Sequence, residues 1–214
     1  MKFAKTLIIV LSCFSFTVLA QVADNIILPE ARKEGGMPLF EALKNRHSSR
    51  SFSPKELNFQ QLSDMLWAAF GISRQERNLR TAPSARNWQD IDIYVALENG
   101  WFLYEPLEHK LIHKGNEDIR KYTGVQEFVA TAPVSLVFVS DFSRMSDTLN
   151  EDMKNFYAAN HAGYISQNIY LFCASESLAT VVRGAIDRDE IRKALKLNDN
   201  QHVIFAQTVG FPGE

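Results

Sequence analysis

Residues 147–178 limit the possible folds more than any other stretch. Phe156, Tyr157, Tyr164, Ile165, Ile169, Tyr170, Leu171 and Phe172 crowd its second half, so it predicts a long helix that is apolar nearly all the way round. Such a helix has to be enclosed, either in a core or by a second copy of the chain. Asn160, His161, Gln167 and Asn168 interrupt the apolar surface. Polar groups of that kind are costly inside a bilayer, so the stretch is not read as a membrane span. With 214 residues and 46% hydrophobic content, the chain has enough apolar material to build one sizeable domain around this helix.

Other periodicities supply the rest of that domain. "IDIYVAL" (91–97) alternates β-branched and apolar residues and predicts a strand. "GWFLYEPLEHKLIH" predicts a hairpin turning near Glu105-Pro106, and "HVIFAQTVG" (202–210) a last buried strand. "VSLVFVS" (134–140) is apolar throughout, as in a strand buried on both faces. A short helix carrying Leu39, Phe40 and Leu43 is expected from Pro38 to near Arg46. Asn58 with Gln61 forms a capping-box pattern ahead of Leu62, Met65, Leu66, Ala69 and Phe70, and Gly71 is a natural stop. The class is α+β, one sheet enclosed by helices.

The first twenty residues stand apart. Lys2 and Lys5 precede an apolar run from Leu7 to Val18, and Val18-Leu19-Ala20 resembles a small-residue cleavage site before Gln21. This is the layout of a secretory signal peptide. The apolar run is shorter than the roughly 20 residues a membrane span needs. Lipid attachment at Cys13 is the alternative, although Leu11 makes a poor lipidation motif. Loss of the leader leaves Cys173 as the one cysteine, so no intramolecular disulfide can form. Export without disulfides leads us to expect a bacterial periplasmic protein, with residues 21–37 as a lead-in ending at Gly35-Gly36. The net charge of -2 gives no sign of the basic surface that nucleic-acid binding asks for.

Several chemistries find little support. His109 and His113 are four apart but fall in the predicted hairpin, without the further ligands a zinc site needs. Ser84 and His161 lack a nucleophile-elbow motif. Cys173 reads as a small core residue. Neither a phosphate-binding P-loop nor a dinucleotide fingerprint is present.

Three segments remain. "RHSSRSF" (46–52) packs two cations, a histidine and three hydroxyls into seven residues. "RTAPSARNWQDIDIYV" (80–95) is a polar loop running straight into a strand, and "VVRGAID" (181–187) a turn past the long helix. Taken singly, these read as a basic helix end, an ordinary loop and an ordinary turn. Together with "AGYISQNIYLFCASESLAT" and the closing "TVGFP", their order and spacing resemble the FMN-dependent nitroreductase family over about residues 38–212. Within that family the chain is similar to the short branch that includes the SagB-type azoline dehydrogenases.

The resemblance implies a nitroreductase-like domain over 38–214: a central mixed or antiparallel sheet and an intimate homodimer with the long helix at its centre. It implies FMN at the dimer interface and no resident metal. Arg46 and Ser48 match the positions that hold the phosphate, where a guanidinium fork and a hydroxyl are suitable donors. His47 lies between them, and Arg50 matches a basic residue at the flavin pyrimidine edge, where negative charge builds on reduction. Pro83, Ser84, Ala85 and Asn87 match a loop reaching the flavin from the partner subunit, and Gln126 an amide against the ring. Val182, Arg183 and Gly184 match a turn whose backbone N–H groups face N5 and O4. No side chain is assigned as catalytic, because the cofactor carries the chemistry.

Two departures stand out. The family's "GLG" is Ser177-Leu178-Ala179 here, and the basic arm that many members carry after the glycine-proline turn is missing. The implied activity is ping-pong hydride transfer, from NAD(P)H or another donor to a nitroaromatic, a quinone or another conjugated acceptor. Two alternatives are a SagB-type dehydrogenase acting on a peptide-derived substrate and a non-catalytic flavin-binding protein on the same fold.

Overall fold

The computed structural model describes residues 25–213. The expected leader and its cleavage site lie outside the described residues. Along the chain run β1 (Ile26–Ile27), α1 (Leu39–Asn45), α2 (Phe59–Phe70), β2 (Ile72–Arg74), β3 (Leu79–Arg80), β4 (Ile91–Leu97), β5 (Gly100–Glu105) and β6 (Lys110–Gly115). They are followed by β7 (Val134–Asp141), α3 (Glu151–Ser175), β8 (Ala179–Arg183), α4 (Arg188–Ala194) and β9 (Gln201–Gly210).

Seven strands form one sheet in the order β1-β6-β5-β4-β7-β9-β8. Each pairing in it is antiparallel. β7 lies inside the sheet between β4 and β9, and Val134 to Ser140 are all buried, as a strand covered on both faces requires. Ile91, Ile93, Val95, Leu136 and Phe138 pack in one core with α2 and α3. Tyr94, Ala96, Val137 and Val139 pack in a second with Ile191 and Leu195, at α4. Successive residues of one strand thus feed opposite layers.

Local chemistry fixes the helix ends. The Asn58 side chain accepts from Gln61 N–H (2.8 Å) and the Gln61 side chain accepts from Asn58 N–H (3.1 Å), completing the capping box. Gly71 does end α2, but not through a left-handed turn, since its φ is -69°. A methyl group there would stand 2.4 Å from the Trp67 ring, so the requirement is close approach. α3 is shorter than the 147–178 expected, because Asn150 caps it by accepting from Met153 N–H at 2.9 Å. At its other end Ser177 adopts φ 56°, and Leu178 N–H donates to the Cys173 carbonyl at 2.8 Å. That is the left-handed helix stop at which glycine is usual. Ser177→Gly is therefore expected to raise stability by about 1 kcal/mol, read as a higher denaturant midpoint at constant slope.

α3 buries Ala158, His161, Ala162, Ile165, Ser166, Ile169, Tyr170 and Cys173, one face at helical spacing. Phe156 and Tyr164, on its other side, are exposed, as are Leu39, Phe40 and Leu43 of α1.

Candidate functional site

Tyr170 joins two of the three segments. Its hydroxyl lies 2.8 Å from Ser48 Oγ and accepts the Val182 N–H at 3.0 Å. The Arg46 guanidinium lies over its ring, 5.3 Å from the centroid. Arg46 caps α1, where its N–H donates to the Ala42 carbonyl, so its side chain emerges at a helix end. Ser49 N–H donates to the Thr180 carbonyl at 2.9 Å, which docks the segment along β8, the edge strand of the sheet. His47 is exposed and donates from Nδ1 to the Asn45 carbonyl; Arg50 is exposed. The segment then pairs with residues 211–213: Ser53 N–H donates to Phe211, and Gly213 N–H to Ser51.

A second group lies nearby. Phe52 packs against Phe128 with ring centroids 5.2 Å apart, and the Arg183 guanidinium sits 5.9 Å from the centre of the Phe128 ring. Gln126 precedes that ring, and its side-chain oxygen is buried without a partner. Val182 and Arg183 belong to β8 rather than to a turn, and only Gly184 lies past the strand end. The Arg183 side chain points inward and donates to the Thr123 carbonyl at 2.6 Å. Burial lowers its pKa to about 10.

The loop with Pro83, Ser84, Ala85 and Asn87 does not join these groups within one chain. It is anchored by His161, nine residues before Tyr170 on α3, about 13 Å along the helix axis. Ala85 N–H donates to His161 Nε2 at 2.8 Å, and His161 Nδ1 lies 2.6 Å from Asp90 Oδ1. The Ser140 hydroxyl donates to Asp90 Oδ2 at 2.7 Å. Because Nε2 accepts, the proton must sit on Nδ1 and face Asp90. All three side chains in this relay are buried. The loop they hold contains Arg86, Asn87 and Gln89 at positive φ (49°, 57° and 48°). Non-glycine residues keep such angles only where their surroundings over-determine them.

The discounted residues have other partners. The Ser84 hydroxyl accepts from Gln89 N–H and makes no pair with His161. His109 bonds to Ser63 and Tyr104, and His113 to Asn116. Cys173 is buried, and desolvation pushes its thiol pKa far up. Among the described residues no group of three or more His, Cys, Asp or Glu is placed to hold a metal. Among the same residues no helix is long and apolar enough to cross a membrane. An apolar cavity of 360 Å³, lined by Leu57, Phe59, Leu62, Leu97, Phe102 and Val134, contains none of the candidate residues.

The donor set suits an elongated anionic cofactor. The Arg46 guanidinium and the Ser48 hydroxyl meet at Tyr170, and Gln126 carries an unpartnered buried carbonyl oxygen. FMN offers a phosphate for the first and ring N–H chemistry for the second, so the residues present fit it.

Comparisons with known proteins show the family. The family described as "Nitroreductase family" matches residues 43–211. A nitroreductase of Methanocaldococcus jannaschii is 30% identical over 172 residues, covering 75% of this chain and 85% of its own. A nitroreductase crystal structure from Ralstonia eutropha is 40% identical with a TM-score of 0.85, covering 90% of this chain and 91% of that one. A chain of the E. coli microcin synthetase McbBCD complex shares the fold, with a TM-score of 0.69 at 15% identity over 98% of this chain and 85% of that one.

Proposed function

Since the chain belongs to the nitroreductase family of oxidoreductases, we propose that it is an FMN-dependent enzyme that carries hydride from a nicotinamide or other donor to a conjugated acceptor. A nitroaromatic or a quinone is the acceptor class meant. When bound, FMN supplies the two-electron chemistry at its N5 atom. Arg46 and Ser48 bind the phosphate, with Tyr170 orienting both. Exposed Arg50 meets the pyrimidine edge. Gln126 offers its unpartnered oxygen to a ring N–H, and Gly184 lets the backbone come close. Pro83, Ser84, Ala85 and Asn87 belong to the site of the partner subunit. Their distance from Tyr170 within one chain supports that reading, and it requires a homodimer. The exposed Leu39, Phe40 and Phe156 favour one, because such side chains clustered on a surface mark an interface. We further read the protein as exported by its N-terminal leader.

The observation that carries the proposal is the bridge from Ser48 through Tyr170 to Val182, which ties the segment proposed to grip the phosphate to the strand end that leads to Gly184. The fold shared with a microcin synthetase chain favours a second reading, a dehydrogenase acting on a peptide-derived substrate.

A visible absorption spectrum of the purified protein, before and after adding FMN, tests the cofactor. Flavin absorbance that stays with the protein through gel filtration is expected. Bleaching by NADH or NADPH, and recovery on adding menadione or 4-nitrobenzoate, would support the reductase. A loaded protein that no nicotinamide bleaches would shift the choice to the dehydrogenase. A colourless protein that takes up no FMN would sink both in favour of a non-catalytic binding role.

A further inference from the structure

Among the described residues, one buried cation has no anion to answer it. Arg183 is only 4% exposed. Nη1 donates to the Thr123 carbonyl at 2.6 Å and Nη2 to the Ser135 hydroxyl at 2.9 Å, while Nε has no partner. Among the described residues no carboxylate pairs with it. Arg120 makes the contrast plain: at 6% exposure it holds Asp118 through two bonds, of 2.9 and 2.7 Å. Buried charges are ordinarily paired because desolvation is costly. A cation left without a counter-charge is a standing source of positive potential.

The neighbours are shaped around it. Gly124 has no side chain where an added Cβ would stand 2.0 Å from Arg183 Nη1. The same position lies 2.9 Å from the partnerless Gln126 oxygen. Phe128 covers the guanidinium and leads through Phe52 to the 46–51 segment.

We propose that the side chain of Arg183 is the counter-charge of the flavin site, a buried guanidinium beneath residues 182–184 that favours the reduced cofactor. The inference rests on the site reading above. A hydride brings two electrons and one proton, so its arrival from the donor adds one unit of negative charge to the ring. A fixed positive charge in a poorly screened interior stabilises that added charge. Arg50, exposed to solvent, is screened in a way that Arg183 is not.

The test is the two-electron midpoint potential of the flavin-loaded protein, measured against reference dyes. Arg183→Gln is expected to lower it by at least about 30 mV, a tenfold shift in the reduction equilibrium. Arg183→Lys keeps the charge and is expected to keep the potential. Ser135→Asp leaves Arg183 in place but sets a carboxylate beside Nη2, so it is expected to lower the potential as well. That variant and Arg183→Lys still decide the matter where Arg183→Gln does not fold. An unchanged potential in loaded Arg183→Gln or Ser135→Asp overturns the inference. An equal fall in Arg183→Lys overturns it too, since lost geometry would then be the cause. A wild-type protein that takes up no FMN instead removes the site reading underneath.

Discussion

Arg46→Ala is expected to purify without flavin, in a folded protein. The guanidinium is half-buried over the Tyr170 ring, a cation–π contact of modest worth, so the fold loses little when it goes. A hydrogen bond to a charged group is worth about 1.5–3 kcal/mol, so losing one such contact weakens FMN binding roughly 10- to 150-fold. Fluorescence titration of the apoprotein with FMN measures this directly. Because the phosphate contact is charge-assisted and exposed on one side, the wild-type affinity is expected to fall with salt, and that of the variant to fall less. Full loading of Arg46→Ala would show that the phosphate is held elsewhere.

His161→Phe is expected to cost far more stability. It leaves Asp90 buried with only Ser140 as a side-chain partner, and it strips the acceptor from Ala85 N–H. Breaking one side of a buried pair costs about 3–5 kcal/mol. For a chain of this size that is a fall in Tm on the order of 10 °C. The double variant Asp90→Leu, His161→Phe removes both polar partners and should recover much of the loss, as apolar replacement of buried pairs often does. It restores no acceptor for Ala85. Amide exchange across residues 83–89 should therefore stay fast in the double variant while its Tm recovers. Protected amides there would mean that the loop holds its left-handed residues without the relay.

Much of the fold was legible because its signals are local. The Asn58–Gln61 capping box spans four residues, the hairpin after Gly100 turns where Glu105-Pro106 predicts, and the apolar run at 134–140 is an interior strand of the sheet. The helix at 147–178 was misjudged by a few residues at each end. Asn150 and Ser177 are the stops, and a serine at a left-handed position does not announce itself as glycine would.

The site was legible only in part. "RHSSRSF" drew notice through its composition, but nothing in its own residues names Tyr170, which stands 122 positions from Ser48. Tyr170 looks like one more apolar residue of a crowded helix. His161 and Asp90 were equally obscure, although a lone carboxylate just before a buried strand and a lone imidazole on an apolar helix were the available hints. Gly124 gave no signal, since the need for it comes from Arg183, far along the chain.

By itself, the sequence determined the class of the fold, its longer elements and the family, because periodicity, caps and ordered motifs are written in neighbouring residues. The tertiary structure alone decided which hydroxyl bridges the sheet edge, which imidazole holds the 83–89 loop and which arginine is buried without a counter-charge. Those depend on side chains brought together across the sheet and α3, where one hydrogen-bond length separates a partner from a bystander and no local pattern records the meeting.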